Sequence, residues 1–241
     1  MKYIINERQY KLLTEQEEEI LKIPFAAFGN DWNSLQKFLE KRGNPPYIIT
    51  GNLDLRDTPI KSLGNLISVE GYLDLTDTKI KSIGKLKSVG GYLDLRNTSI
   101  KSIGNLESVG HNLSLINTKV ESLGNLKSVG RSLYLENSSV KSLGSLTSVG
   151  GWAYLAHTLI QSLGNLTSVG NDLYLYGSEV KSLGNLESVG NDLLLSNTQI
   201  QSFENLTSVG GDLYLENTPL SEKYARYEIP SMVNVGGQVY L

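Results

Sequence analysis

The sequence contains no cysteine and only two histidines, so it is poor in the residues that build compact metal and redox sites. The lack of cysteine excludes disulfides, thiolate zinc sites and cysteine nucleophiles. No apolar run approaches the roughly 18 residues of a membrane-spanning helix, and the first twenty residues lack the apolar core of a signal peptide. We therefore expect no membrane association and no cofactor.

The chain also lacks an excess of charge of one sign. Its 22 basic and 25 acidic residues give a net charge of −3. Five lysines, at 61, 81, 101, 141 and 181, could follow a phosphate backbone, but no aromatic side chains interleave them. We expect no nucleic-acid partner and interpret these lysines as a solvated edge that discourages sheet aggregation.

Internal repetition dominates the rest of the sequence. A pair of apolar residues in the pattern L-x-L recurs every 20 residues without insertion from residue 53 to residue 215. The pairs begin at Leu53, Leu73, Leu93, Leu113, Leu133, Ala153, Leu173, Leu193 and Leu213. A tenth copy, GGQVYL, follows a longer connection at 236–241. A fixed period of this length indicates a solenoid.

Each repeat begins with a short strand. In YLDLT, residues 72–76, alternation places Leu73 and Leu75 on one face and Tyr72, Asp74 and Thr76 on the other. Apolar residues at 80, 83, 86 and 89 then follow among Ser and Gly, which favours irregular or extended segments over a helix. Six aliphatic side chains per repeat become buried only when repeats stack. We predict a β-rich solenoid of about ten rungs with parallel strands.

The ends of the chain do not repeat, and we assign them to caps. Residues 1–47 are predicted to form a helical N-terminal cap: one helical stretch ends near Ile23, and a second has an apolar stripe. That stripe is formed by Trp32, Leu35, Phe38 and Leu39, and Asn44-Pro45-Pro46 ends the helix. Residues 48–220 form the solenoid. Residues 221–241 are predicted to contain a capping helix at 221–228, with Ser221 as N-cap, and the last strand.

The repeat resembles a known family. The pattern Leu73-x-Leu75-x-x-Thr78-x-Ile80 resembles the leucine-rich repeat core L-x-L-x-x-N-x-L in its shortest, 20-residue bacterial form, over residues 51–241. Thr or Ser replaces the usual buried Asn in the nine copies that contain this position, so the hydroxyl must make the backbone hydrogen bonds of the Asn amide. The resemblance implies a parallel leucine-rich repeat array that recognises protein on its concave strand face, without catalysis.

A second resemblance concerns the exact amino-acid sequence of the repeat. SLGNLxSVGGxLxLxNT, with the opening MKYIINERQYKLLTEQ, resembles repeat proteins encoded by tailed bacteriophages and their relatives. This resemblance implies a phage-encoded protein located in the host cytoplasm or associated with the virion. Without a visible signal peptide or membrane span, either place is expected.

The columns that stay constant along the repeats are predicted to be structural. Glycine recurs at 64 and at 90 with period 20, where positive φ or close backbone approach is expected. Serines at 62 and 68 also recur, and we expect them to bond to turn backbone. The alternatives are a phosphate-binding glycine loop, a nucleophilic serine and, for the threonines, an outward array that binds ice. The first two lack the Lys or the base that they need.

Outward positions vary, and in the first half they are charged. Asp54, Asp74 and Asp94 would stack at about 4.8 Å and repel one another. Arg56 and Arg96 face the same way and could pair with them. We expect a surface of ion pairs; a bound calcium ion is the alternative.

In the second half the same positions become aromatic. The candidate partner-binding residues are Tyr134, Trp152, Tyr154, Tyr174, Tyr176 and Tyr214. They could merely stabilise an exposed sheet by cross-strand contact. They could instead bind a partner, because Tyr and Trp dominate interface hot spots, and a sugar-stacking platform is one form of such a surface.

Two hypotheses of function follow. The first is a non-enzymatic module that binds another protein through the strand face of rungs five to nine. The second is a structural or self-assembling component, for which the C-terminal edge strand QVYL could pair with another copy. An enzyme is not expected, because no acid and base residues converge in the sequence.

Overall fold

The computed structural model describes residues 20–241, which form a parallel β-solenoid with two sheets. The ten-stranded sheet, here the Leu sheet, contains the L-x-L pairs. Its strands are β3 (Leu53–Asp54), β5 (Leu73–Asp74), β7 (Leu93–Asp94), β9 (Leu113–Ser114), β11 (Leu133–Tyr134), β13 (Ala153–Tyr154), β15 (Leu173–Tyr174), β17 (Leu193–Leu194), β19 (Leu213–Tyr214) and β21 (Val239–Tyr240). We number the rungs 1 to 10 by these strands.

An eleven-stranded sheet, here the Ser-Val sheet, forms the other side of each rung. Its strands are β1 (Leu21–Ile23), β2 (Tyr47–Ile49), β4 (Leu66–Val69), β6 (Ser88–Val89), β8 (Ser108–Val109), β10 (Ser128–Val129), β12 (Ser148–Val149), β14 (Ser168–Val169), β16 (Ser188–Val189), β18 (Ser208–Val209) and β20 (Asn234–Val235). Sequence reasoning expected only irregular or extended chain here, so this second sheet was missed.

The predicted β-rich solenoid of parallel strands in about ten rungs is confirmed. Neighbouring strands pair in parallel, and residues 20 apart face each other, such as Leu73 with Leu93 and Val89 with Val109. Each of rungs 1 to 7 buries six aliphatic side chains completely or almost so; in rung 2 these are Leu73, Leu75, Ile80, Ile83, Leu86 and Val89. They belong to one continuous core with the apolar residues of both caps.

The two glycine columns are constant for different reasons. Gly84 has φ +62°, a left-handed conformation that costs other residues energy, and the equivalent glycines from 64 to 184 share it. Gly130 has ordinary φ, but a Cβ there would collide with the carbonyl oxygen of Gly110 one rung away. Both reasons that the sequence suggested therefore apply, each to one column.

In most rungs the threonine column and the serine column that starts at 62 bond to backbone, as predicted; the exception is the Ser138 hydroxyl, which has no partner among the described residues. The Thr118 hydroxyl donates to the Leu115 carbonyl at 2.7 Å, and the equivalent threonines and Ser178 do the same. The Ser122 hydroxyl accepts from the Gly124 N–H at 3.1 Å. Thr118 is buried, with 3% of its surface exposed, and its column faces the core. The alternative of an outward, ice-binding threonine array is therefore wrong.

The N-terminal cap is only partly helical in the described residues. Helix α1 (Trp32–Glu40) is confirmed, begins at the N-cap Asp31 and buries Leu35 and Leu39. A 3-10 turn, Phe25–Phe28, precedes it. The stretch expected to end as a helix near Ile23 instead ends in β1, which pairs with β2 and extends the Ser-Val sheet. The rest of that predicted stretch lies outside the described residues.

The C-terminal cap contains a short helix, but two residues earlier than predicted. Helix α2 spans Pro219–Lys223, and its N-cap is Thr218, not Ser221. Ser221 instead completes a capping box, because its hydroxyl accepts the Thr218 N–H at 3.2 Å. Residues 224–228 lie beyond this helix, and a 3-10 turn at Ile229–Ser231 leads to the last rung.

Candidate functional site

The candidate site is the outward face of the Leu sheet, where three columns of side chains run across the rungs. The first column contains residues such as Tyr72 and Trp152, the second Asp74 and Tyr154, and the third Thr76 and Ala156. Each column is set by the strand register, which places equivalent residues of successive rungs directly opposite each other. The face is therefore a regular grid whose chemistry depends only on side-chain identity.

Rungs 1 to 3 carry paired charges in this grid. The Arg56 guanidinium lies 2.7 Å from an Asp54 carboxylate oxygen and 3.5 Å from one of Asp74. Arg96 pairs with Asp94 at 2.6 Å. The hydrogen bonds from Arg56 hold the pKa of Asp54 below its usual range. The predicted ion-pair surface is confirmed, since arginines relieve the repulsion between the stacked carboxylates.

Rungs 5 to 7 carry a continuous tyrosine stack in the second column. The ring centroids of Tyr134 and Tyr154 lie 5.0 Å apart with planes inclined by 8°. Those of Tyr154 and Tyr174 lie 4.7 Å apart with planes inclined by 6°. Both distances match the rung spacing of about 4.8 Å, so the fold itself imposes the stacking. All three side chains are half-buried.

Carboxylates of the first column support this stack. The Tyr174 hydroxyl donates to Asp172 at 2.7 Å, and Asp172 also accepts from the Asn191 amide at 2.6 Å and the Asp192 N–H at 3.2 Å. Burial alone would raise the pKa of Asp172, but these hydrogen bonds together lower it. The same hydrogen bond to Asp172 raises the pKa of Tyr174. The Tyr174 ring, at one end of the stack, is therefore held in position by Asp172.

The six predicted residues lie on this one face but not in one cluster. Tyr134, Tyr154 and Tyr174 stack together. Leu194 interrupts the second column, so Tyr214 belongs to a separate stack with Tyr240, 4.6 Å away. Trp152 and Tyr176 lie in the flanking columns and are exposed by 42% and 41%. They are thus the most accessible of the six.

Several residues of this face were missed by sequence reasoning. Tyr72 and Tyr92 form another stack, with centroids 4.6 Å apart, and Tyr240 extends the Tyr214 stack. Reading the first column across every rung would have found the first pair. Glu136 has a buried carboxylate oxygen without a partner among the described residues, and burial raises its pKa. No signal in the sequence pointed to Glu136.

Within residues 20–241, no group of three or more His, Cys, Asp or Glu side chains is placed to hold a metal ion. None of the helices in that part of the chain has the length and apolar character needed to cross a membrane. Comparison with protein-family models, with curated proteins and with solved structures gives no match. The regular 20-residue repeats and the parallel solenoid thus characterise a repeat protein.

Proposed function

We propose that this chain is a non-enzymatic, protein-binding module of the leucine-rich repeat type, which recognises a protein partner through the outward face of rungs 5 to 9. The observation that carries the proposal is that aromatic residues fall at the outward strand positions, which change from rung to rung. The core positions remain almost entirely aliphatic and the glycine columns recur in both halves, so the backbone of the solenoid does not require these rings.

Exposure favours recognition over simple stabilisation for part of the face. Tyr134, Tyr154 and Tyr174 are half-buried against each other and stabilise the sheet. Trp152 and Tyr176 lie outside that stack and each exposes about two fifths of its surface, at 42% and 41%. Large exposed aromatic side chains beside a rigid stack are typical of interface anchors.

The experiment is affinity capture from the source cells with the protein as bait. We expect Trp152→Ser combined with Tyr176→Ser to lose the captured partner while the unfolding free energy changes by less than about 1 kcal/mol. Tyr227→Ser is the matched control, because Tyr227 is 83% exposed but lies in the C-terminal connection. Capture that survives the double variant, or is lost equally in the control, would contradict the proposal.

A second candidate function is structural self-association. β20 and β21 are the last strands of their sheets and pair on one side only within the described residues. Such edges can accept a strand from another copy. Light scattering on concentrated protein tests this, and a strictly monomeric species would contradict it.

The remaining proposals follow from the resemblances. A phage-encoded protein of this kind would act in the host cytoplasm or on the virion. Titratable groups that lie close together on the outward face within residues 20–241, such as Arg96 with Asp94 and Tyr174 with Asp172, are bound to each other, and this supports a binding function over an enzymatic one.

A further inference from the structure

A cleft of about 420 Å³ interrupts the outward face between its charged and its aromatic halves. It lies over rung 4, where the three columns carry Asn112, Ser114 and Ile116, and the small Ser114 stands between the larger Asp94 and Tyr134. This volume falls within the range of about 300–1,000 Å³ that is usual for ligand pockets.

Two aromatic stacks end at this cleft from opposite directions. The Tyr72–Tyr92 stack of the first column ends at Tyr92, because the next residue of that column is Asn112. The tyrosine stack of the second column ends at Tyr134, because Ser114 precedes it. In both stacks the rings are nearly parallel and one rung apart, so their faces point along the solenoid. Each stack therefore has an unstacked ring face at the cleft.

The floor and sides of the cleft supply both hydrogen-bond donors and acceptors. Arg96 is held against Asp94 by hydrogen bonds of 2.9 Å, and Asp94 is only 7% exposed. Asn112 uses its carbonyl oxygen to accept the Ser132 N–H at 3.0 Å, and its amide nitrogen donates to no residue within 20–241. The Ser114 hydroxyl has no partner in the same range either, but it is buried beneath the cleft surface and is not counted among these groups.

We propose that this cleft binds a pyranose ring, either as a free sugar or as a unit of a glycan. A pyranose presents C–H groups on its faces, which suit the electron-rich face of Tyr134 or Tyr92. Its hydroxyls each donate and accept, which suits a rim of paired carboxylates, guanidinium groups and a free amide. The cleft shares Tyr134 with the proposed protein-binding face but does not include its exposed pair, Trp152 and Tyr176, so the two proposals can be tested separately.

The polar lining favours a sugar over an aromatic side chain or a nucleobase. A phenyl ring in the cleft would cover Asp94, Arg96 and Asn112 without replacing the water that hydrates them, which is costly. A nucleotide phosphate would have to compete for Arg56 and Arg96 with the aspartates to which both are already bound. A neutral ring with several hydroxyls avoids both costs.

The test is a titration of the full chain with methyl glucoside, methyl galactoside, methyl mannoside and N-acetylglucosamine, followed by amide chemical shifts in NMR. We expect saturable shifts in at least one titration, concentrated at residues 93–97 and 112–116, with millimolar affinity. Linear oligosaccharides of the same sugars form a second arm, and tighter binding in that arm would identify a glycan chain as the source. No saturable shift in either arm would overturn the proposal.

Ser114→Tyr is the decisive variant, because it places a ring at the missing position and fills the cleft. We expect it to weaken glycoside binding by at least about tenfold. Leu194→Tyr is the matched control: it fills the other gap in the same column, between Tyr174 and Tyr214, and should leave binding unchanged. Equal binding by the Ser114→Tyr variant would overturn the proposal.

A second variant keeps the test valid if Ser114→Tyr does not fold. Asn112→Ser removes the free amide donors but retains an oxygen for the neighbouring backbone N–H, as Ser132 does for Trp152 at 3.4 Å in the equivalent place. We expect weaker binding with an unchanged thermal transition. N-acetyltyrosinamide is included as a probe of the other occupant, and if it binds more tightly than every sugar, the cleft is a protein-binding pocket and the proposal fails.

Discussion

Rungs 1 to 3 and rungs 5 to 7 have the same strand register and a similar aliphatic core but opposite outward chemistry. The first set stacks Asp54, Asp74 and Asp94, and this arrangement needs arginine partners. The second set stacks tyrosines, which attract one another directly. The parallel register is identical in both. The comparison shows that the buried residues determine the backbone structure of a rung, whereas the outward side chains can vary without changing it.

The largest expected effect on stability tests whether the close backbone contact at the glycine column is equally necessary in both halves. Gly110→Ala and Gly190→Ala each place a Cβ against the carbonyl of the glycine one rung before. We expect each to lower the unfolding free energy by about 3 kcal/mol in urea denaturation. Gly164→Ala is the control, with open space but φ +58°, and should cost about 1 kcal/mol. A large loss of unfolding free energy in only one of the two variants would show that the two halves do not share the same backbone packing.

A smaller effect is expected for the buried hydroxyl column. Ser178 donates to the Leu175 carbonyl at 2.6 Å, whereas the Ser138 hydroxyl is buried without a partner in the described residues. Ser178→Ala should therefore lower the unfolding free energy by about 1 kcal/mol, and Ser138→Ala should leave it almost unchanged. Thermal unfolding of the two variants measures the difference. Equal losses would show that this hydrogen bond does not stabilise the rung.

Acid sensitivity should distinguish the two halves. The pKa values of Asp54 and Asp172 are both lowered on folding from the usual 3.8, so each stabilises the fold above that value and loses its contribution as the pH falls through the lowered pKa. Asp172→Asn and Asp54→Asn should therefore both reduce the loss of stability as the pH falls from about 5 to about 2, by about 1 kcal/mol and a few tenths of a kcal/mol respectively.

Salt sharpens this prediction, because the causes differ. Asp54 is stabilised by the exposed Arg56, whereas Asp172 is buried and accepts hydrogen bonds from Tyr174 and Asn191. At about 1 M salt the effect of Asp54→Asn should vanish and that of Asp172→Asn should persist. The same salt dependence at both sites would contradict the difference in cause.

The smallest expected effect concerns continuity of the stack. Leu194→Tyr joins the Tyr134–Tyr174 stack to the Tyr214–Tyr240 stack. We expect it to raise the unfolding free energy by about 0.5 kcal/mol. The melting temperature measures it, with Leu194→Met as the apolar control. A loss of stability would show that Leu194 packs better than a ring at this place.

The sequence was sufficient to predict the rungs, because 20-residue repetition and the alternation around Leu73 and Leu75 state the period and the buried face directly. It was not sufficient to predict the Ser-Val sheet. Ser88–Val89 is a two-residue strand, too short to show alternation, and it becomes a strand only through pairing with neighbouring rungs.

The candidate site was predicted in its residues but not in its grouping. The repeat register placed Tyr134, Tyr154 and Tyr174 in one column. The break at Leu194 was visible in the sequence, but its consequence, a separate Tyr214–Tyr240 stack, required the position of the last rung. That position depends on the connection at 219–238, whose length departs from the repeat. The cleft over rung 4 likewise depends on two columns read together.

The central claim is that the backbone and core of a rung stay stable when its outward residues change. Exchanging the three outward residues of one rung for those of another tests this claim most directly. Tyr92→Trp, Asp94→Tyr and Arg96→Ala together give rung 3 the outward residues of rung 6, which are Trp152, Tyr154 and Ala156. The measurement is the unfolding free energy of this triple variant. The account predicts a value within about 1 kcal/mol of the parent, with a single cooperative transition. A decrease of several kcal/mol in the unfolding free energy, or unfolding in more than one transition, would contradict it.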